Sequence, residues 1–364
     1  MKNTFGNNIS VTLFGESHGT AIGAVIDGLP AGVKVNEEYI AHQLDLRRPF
    51  GKISTLRQES DKFEIVSGVF GGKTTGTPVC IVIPNENTQS KDYSKDYGKA
   101  RPGHADYTAF CKYNGCEDYR GGGHFSGRIT AGLVAAGAIA VDLLSKKGIK
   151  LGTHISKCAG VEDDRFSDYD SDISALSQKL FPVLSENAGE KMISNIEKAA
   201  KDGDSVGGIL ETAVVGLPVG IGEPWFDSVE SVLSHALFSI PGIKGVEFGA
   251  GFSCADMTGS VMNDSFCLCE DKVITKSNNN GGINGGITNG MPVIFRCAVK
   301  PTPSISKEQE TIDFINKENA VLSVKGRHDP CIVHRARVVV DSITALILCD
   351  LLSQKFGTDW LGDV

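Results

Sequence analysis

Thr130-Ala-Gly-Leu-Val-Ala-Ala-Gly-Ala-Ile-Ala-Val-Asp-Leu-Leu-Ser-Lys-Lys147 is the stretch around which the chain is organised. Alanine and leucine are strong helix formers, and two lysines followed by Gly148 match the charge and cap chemistry of a helix C-terminus. Its most apolar part, residues 131–144, carries Gly132, Gly137 and Asp142. That part falls short of the ~20 residues that span a bilayer, so the segment reads as a core helix. Upstream, residues 10–14 and 21–26 read as strands flanking the turn Gly15-Glu-Ser-His-Gly19. Residues 36–44 read as a short helix with Asn36 as N-cap, and residues 63–70 and 78–83 as strands around Gly71-Gly72. Downstream, helices are expected over 188–201, 227–238 and 338–355 and strands over 209–215 and 292–299. The Asn- and Gly-rich run 277–290 reads as loop. Strands and helices come in mixed order, without the alternation of a doubly wound sheet or a repeat of ~34 or ~40 residues. The acidic run 162–172 is too short to mark a boundary. The expectation is one α+β domain over residues 1–364.

Of the 364 residues, 41% are hydrophobic and 22% charged, an ordinary globular balance, but 43 are glycine, well above the average of roughly 7%. That surplus implies tight turns and close backbone approaches to a ligand, and favours a small-molecule enzyme over a scaffold. The net charge of −8 offers no basic field for nucleic acid or an acidic membrane, so an anionic substrate must be captured by a local arginine cluster. Ten cysteines show no CxxC pair, which gives no zinc site and reads as buried, reduced thiols. No charged n-region leads into an apolar h-region at the N-terminus, and the expected location is cytoplasmic.

Four segments place a histidine among small residues: Gly15-Glu16-Ser17-His18-Gly19, Arg101-Pro102-Gly103-His104-Ala105-Asp106, Arg120-Gly-Gly-Gly-His-Phe-Ser-Gly-Arg128 and Gly326-Arg327-His328-Asp329-Pro330-Cys331. Arginine accompanies three of them. The combination suits a phosphorylated, multiply anionic ligand with proton transfer in its site. The first segment also fits the G-x-S-x-G nucleophile elbow, but that motif needs a helix directly after it, and Thr20 to Ile26 carries Gly23 and β-branched residues. His104 reads either as a histidine bonded within its own turn or as a general acid or charge stabiliser, since imidazole titrates near neutrality. Ser126 and Arg128 come directly before the helix at Thr130, where backbone N–H groups and the helix dipole suit a phosphate. The loop lacks the lysine of a P-loop. Lys300-Pro301-Thr302-Pro303-Ser304 reads as a rigid extended connector, and Asp329 as a partner for a ligand proton.

Together these segments resemble the chorismate synthase family. GESHG, RPGHAD, the RGGG loop, Gly207-Gly-Ile-Leu-Glu211, Gly222-Glu-Pro224, Lys244-Gly-Val-Glu-Phe-Gly249, the Asn-Gly loop, KPTPS and GRHDPC occur in that family's order and spacing, from residue 15 to 331. The resemblance implies an α+β sandwich with helices between antiparallel sheets, assembled as a homotetramer. It implies the anti 1,4-elimination of phosphate from 5-enolpyruvylshikimate 3-phosphate to give chorismate, the last common step of aromatic amino-acid biosynthesis. It further implies dependence on reduced FMN without net redox change. By position, His18 is the residue that protonates the departing phosphate, with Ser17 beside it touching substrate. His104 stabilises the reduced flavin, and Asp329 helps receive the proton drawn from the ring through the flavin. His124, Phe125, Ser126, Arg128, Gly242, Gly285, Lys300 to Ser304 and Arg327 fall at flavin positions. Arg47, Arg48, Lys52 and Arg101 fall at substrate positions.

The chain departs from the family's pattern in places. His124 and Phe125 stand where most members have arginine and serine, Ile129 where they have glutamate, and Pro241-Gly242 where some have Asn-Ala. NADPH as reductant of the flavin stays open, although no G-x-G-x-x-G lies between a strand and a helix. Two other functions stay open at this level: a flavin-binding protein without lyase activity, and a serine hydrolase using Ser17.

Overall fold

The structure is a computed structural model that describes residues 2–55, 60–86, 97–324 and 329–362. The chain opens with strands β1 (Thr4–Phe5), β2 (Ser10–Gly15) and β3 (Ala21–Asp27), helix α1 (Glu37–Leu46) and strand β4 (Glu64–Ser67). A small hairpin, β5 (Val69–Phe70) with β6 (Lys73–Thr74), leads to β7 (Val79–Pro84). These give a first sheet of order β1-β2-β3-β7-β4, antiparallel throughout. Every second residue along its central strands (Ile22, Ala24 and Ile26, and Val79, Ile81 and Ile83) is buried, the period-2 signature of a sheet with one face in the core. Helices α2 (Asp106–Tyr113) and α3 (Thr130–Lys146) follow.

The second half contributes β8 (Lys150–Cys158), β9 (Val161–Glu162), α4 (Tyr169–Leu176), α5 (Glu186–Lys201), β10 (Gly208–Val215), α6 (Val229–Leu237), β11 (Ile243–Phe248) and α7 (Gly259–Met262). Three hairpins, β12–β13 (Phe266–Cys269, Lys272–Thr275), β14–β15 (Ile283–Asn284, Ile287–Thr288) and β17–β18 (Gln309–Asp313, Glu318–Leu322), lie around β16 (Val293–Val299). Helix α8 (Val333–Phe356) comes last. The second sheet has the order β11-β16-β10-β8-β9, again antiparallel. Helix α3 packs on β3 and β7, α8 packs on β8 and β10, and the two helices pack on each other. The result is a four-layer sandwich of sheet, helix, helix and sheet, the helices-between-sheets architecture expected from the sequence. Gly137 makes the helix contact close: a Cβ there would lie 2.3 Å from the Cβ of Ser342. By length and composition the segment Gly127–Lys146 could cross a membrane, but here 78% of its apolar window is buried inside the fold.

Several expected elements shift for identifiable reasons. The strand expected over 63–70 breaks at Gly68, after a register shift between Ile65 and Ser67 in its pairing with β7. Helix α8 starts at Val333 instead of 338, because the apolar run after Pro330 is already helical. The expected loop 277–290 holds the β14–β15 hairpin, and Thr288 caps it by donating to the Pro218 carbonyl. Strand β8 was not expected. Polar residues mask its alternation: Thr153 faces α8 and donates to Asp341, while His154 on the opposite face bonds Asp163 and Glu211. The cysteines, expected to be buried, divide: Cys158, Cys297, Cys331 and Cys349 are buried, but Cys111, Cys116, Cys254 and Cys269 are exposed.

Candidate active site

Four loops and one helix entrance converge at the N-terminal end of α3 on a cavity of about 1250 Å³. That is above the ~300–1,000 Å³ usual for a single-ligand pocket, so there is room for two ligands. Gly121 and Gly122 form part of its wall. Both have positive φ (60° and 85°), and each backs onto a histidine. A Cβ on Gly121 would fall 2.2 Å from Cε1 and 2.4 Å from Nδ1 of His18. A Cβ on Gly122 would fall 3.1 Å from Cε1 and 3.2 Å from Nε2 of His104. The glycines expected to make a ligand loop therefore admit two imidazoles to adjacent peptide units. The turn at 15–19 is fixed by the Ser17 N–H donating to the Gly123 carbonyl, and by the Asn85 side chain donating to the Glu16 and Gly19 carbonyls.

His104 does bond its own turn, through one nitrogen only. Its Nδ1 lies 2.7 Å from Asp106 Oδ1. The Arg101 guanidinium donates to both oxygens of the same carboxylate, from Nε at 2.8 Å and from its terminal nitrogen at 2.7 Å. Burial alone would raise the Asp106 pKa, but hydrogen bonds from Arg101 and His104 and their charge outweigh it, and the carboxyl is held well below the ordinary range. From the far side Lys300 Nζ donates to the Gly103 carbonyl, tying the KPTPS segment to this turn.

A second cationic group forms where α1 meets α3. Arg47 donates from Nε to Thr130 (2.9 Å) and from a terminal nitrogen to the Gly127 carbonyl (2.7 Å). It also pairs with Asp61 at 3.5 Å, while Arg128 donates to the same Asp61, to Asn85 and to the Pro84 carbonyl. Two guanidinium groups thus share one carboxylate, which leaves a buried excess of positive charge. Burial pushes the Arg47 pKa down to about 9; Asp61 opposes this, and neighbouring Arg335 and Arg128 add to it. The group remains a cation at neutral pH. Asp329, just before α8, accepts from the Thr55 N–H (2.9 Å) and from Arg335 (2.7 Å).

Of the residues singled out in the sequence, His18, Arg47, Arg101, His104, His124, Phe125, Ser126, Arg128, Gly242, Lys300 to Ser304 and Asp329 all line this cavity. Four others do not. Ser17 is 0% exposed, beneath Gly121. Arg48 pairs with Asp45 and donates to the Ser60 carbonyl, Lys52 is exposed in a short turn after α1, and Gly285 is exposed in the β14–β15 hairpin. Arg327 lies outside the described residues. The buried Ser17 is followed by strand β3 where a nucleophile elbow requires a helix, so the geometry gives a hydrolase reading no support. Asp61, Asp106 and Arg335 went unnoticed in the sequence; of these only Asp106 carried a signal, its place in RPGHAD.

Thr302 Oγ1 is buried in the lining without a hydrogen-bond partner, in the same cavity as Lys300, Ser304 and Ser126, a donor set that suits a phosphate and a polyhydroxyl chain. Among the described residues no group of three or more His, Cys, Asp or Glu is placed to hold a metal ion.

Fold and site together define an enzyme, one that handles protons beside a buried cationic patch. The chorismate synthase family model matches residues 9–352. The chorismate synthase of Dehalococcoides mccartyi (strain BAV1) is 47% identical over 359 residues, covering 96% of both chains. That of Thermococcus kodakarensis is 45% identical over 350 residues, covering 96% of this chain and 97% of its own. A crystal structure of a chorismate synthase superposes with a TM-score of 0.76 at 29% identity, over 97% of this chain and 94% of that one. The chain belongs to the chorismate synthase family, whose members are phosphate lyases.

Proposed function

We propose that the chain converts 5-enolpyruvylshikimate 3-phosphate to chorismate by anti 1,4-elimination of phosphate, with reduced FMN bound in the same cavity. The observation that carries this reading is the pair of histidines set on consecutive glycines beside a buried cationic patch. Bound reduced FMN supplies electron density for loss of an allylic phosphate without net redox change. The chain's own residues supply the rest. His18 holds a proton where the phosphate leaves, and positioned proton transfer of this kind is worth about 10²–10⁴-fold. The Arg47–Asp61–Arg128 group and Arg101 take the substrate's anionic groups, and planar guanidinium forks suit carboxylate and phosphate. His104 stands on the flavin side, and the Asp329 carboxylate, paired with Arg335, helps receive the proton drawn from the ring. Gly242, His124 to Ser126 and Lys300 to Ser304 form the walls that hold the flavin and exclude water. Arg48, Lys52 and Gly285 belong to this reading only if ligand binding or a second copy brings them to the cavity.

We take residues 1–364 to act as one cytoplasmic domain with small-molecule ligands, whose flavin is reduced by NADPH or by an outside donor. The assembly we propose is a homotetramer. Trp225, Phe226 and Phe252 are 83%, 89% and 83% exposed, and Phe266 and Leu268 on the β12–β13 hairpin are exposed too. So much apolar surface is characteristic of an interface. Light scattering on the purified chain should give four copies, and a stable monomer would contradict the assembly. The reaction itself is tested by anaerobic turnover of the substrate with reduced FMN, in which phosphate and chorismate appear in equal amounts.

A further inference from the structure

We propose that Asp106 is the positioning residue that fixes the protonation geometry of His104 and the orientation of Arg101 together. This inference rests on the reading of the cavity as the elimination site. The carboxylate receives both arms of the Arg101 guanidinium, the Arg101 backbone N–H at 3.0 Å, and His104 Nδ1 at 2.7 Å. An ionised carboxylate has no proton to give, so the contact with Nδ1 is an N–H donated by the ring. The tautomer follows from that network: Nδ1 carries the proton, and Nε2, on the ring edge beside Gly122, is left to accept one from the cavity. The same contact stabilises the imidazolium once Nε2 is protonated. Arg101 also lies 3.1 Å from Nδ1 through its terminal nitrogen. With Nδ1 protonated, that approach brings two donors together, and only the shared Asp106 oxygen reconciles them. One carboxylate therefore links an anion-binding arginine to a proton-handling histidine inside a six-residue turn, and the Lys300 ammonium on the Gly103 carbonyl clamps that turn to the opposite wall.

An asparagine at 106 cannot reproduce this. Arg101 donates to both oxygens and His104 to one, so the amide NH2 must oppose Arg101 in either orientation and His104 as well in one of them. The test is magic-angle-spinning NMR of the 15N-histidine-labelled protein, with the His104 signal assigned by its loss in His104→Gln. The parent should show the proton on Nδ1. Asp106→Asn should lose that single pattern, lower kcat at least tenfold and raise KM for the substrate, and Asp106→Glu should restore the Nδ1 pattern at least in part. A parent spectrum with the proton on Nε2 overturns the proposal even if no variant folds. So does an Asp106→Asn protein that melts like the parent and keeps its tautomer and kcat. The spectrum is read without turnover. An Nδ1 proton in a chain that performs no elimination would therefore sink the reaction and leave the role of Asp106 standing.

Discussion

His18 lies so close to the Gly121 backbone that any side chain there must displace it, since 2.2 Å is far inside van der Waals contact. The backbone at Gly121 is also left-handed, where an L side chain is strained. Gly121→Ala should therefore mimic loss of the histidine. Both Gly121→Ala and His18→Ala should cut phosphate release about 10²–10⁴-fold while FMN still binds. A Gly121→Ala enzyme with near-parental turnover would separate His18 from the chemistry. At this scale the sequence is legible wherever a residue sits in a motif: both histidines and Arg101 stand out by their local pattern, while the KPTPS run reads by itself as a connector and gains a binding role only through the family resemblance. Asp61 does not. It reaches Arg47 and Arg128 from a segment without local pattern, and only the tertiary fold shows that two cavity arginines share it.

The second sheet carries a row of charges across its strands. Asp163 faces His154 on β8, which faces Glu211 on β10, then Arg296 on β16 and Glu247 on β11, each pair within 2.6–3.3 Å. Burial would lower the His154 pKa, but the hydrogen bonds and charges of Asp163 and Glu211 outweigh it and raise it above the ordinary value. A raised folded pKa means that the stabilisation is complete below about pH 6.5, the unfolded value, and is lost as pH rises through the folded value. Removing one partner of such a buried set costs on the order of 3 kcal/mol. His154→Gln should therefore melt well below the parent at pH 6, and the gap should narrow steadily toward pH 9. A gap in melting temperature that stays constant over that range would show that His154 is neutral in the folded protein. This row also explains why β8 was hidden: Thr153, His154, Ser156 and Lys157 put polar residues on both faces of the strand, which looks like loop until its cross-strand partners are known. The long apolar helices and the Val- and Ile-rich strands needed no such partners, and their bounds were read to within a few residues.

On the scale of the molecule, the sandwich brings the ends of α3 and α8 and four loops from residues 15 to 329 to one cavity, though the chain as a whole carries a net charge of −8. Capture of the proposed multiply anionic substrate must then depend on short-range cationic groups, because the overall field is absent or adverse. The order of motifs made the family legible from sequence. The pairing of Arg128 with Asp61 was not legible, because that contact joins residues 67 positions apart. On the proposed function, this cavity eliminates phosphate only with reduced flavin beside its two histidines. The direct measurement is anaerobic phosphate release from 5-enolpyruvylshikimate 3-phosphate, comparing dithionite-reduced FMN with oxidised FMN. Stoichiometric phosphate and chorismate are expected with the reduced flavin and no release with the oxidised one; equal rates in both conditions, or phosphate without chorismate, would contradict the proposed reaction.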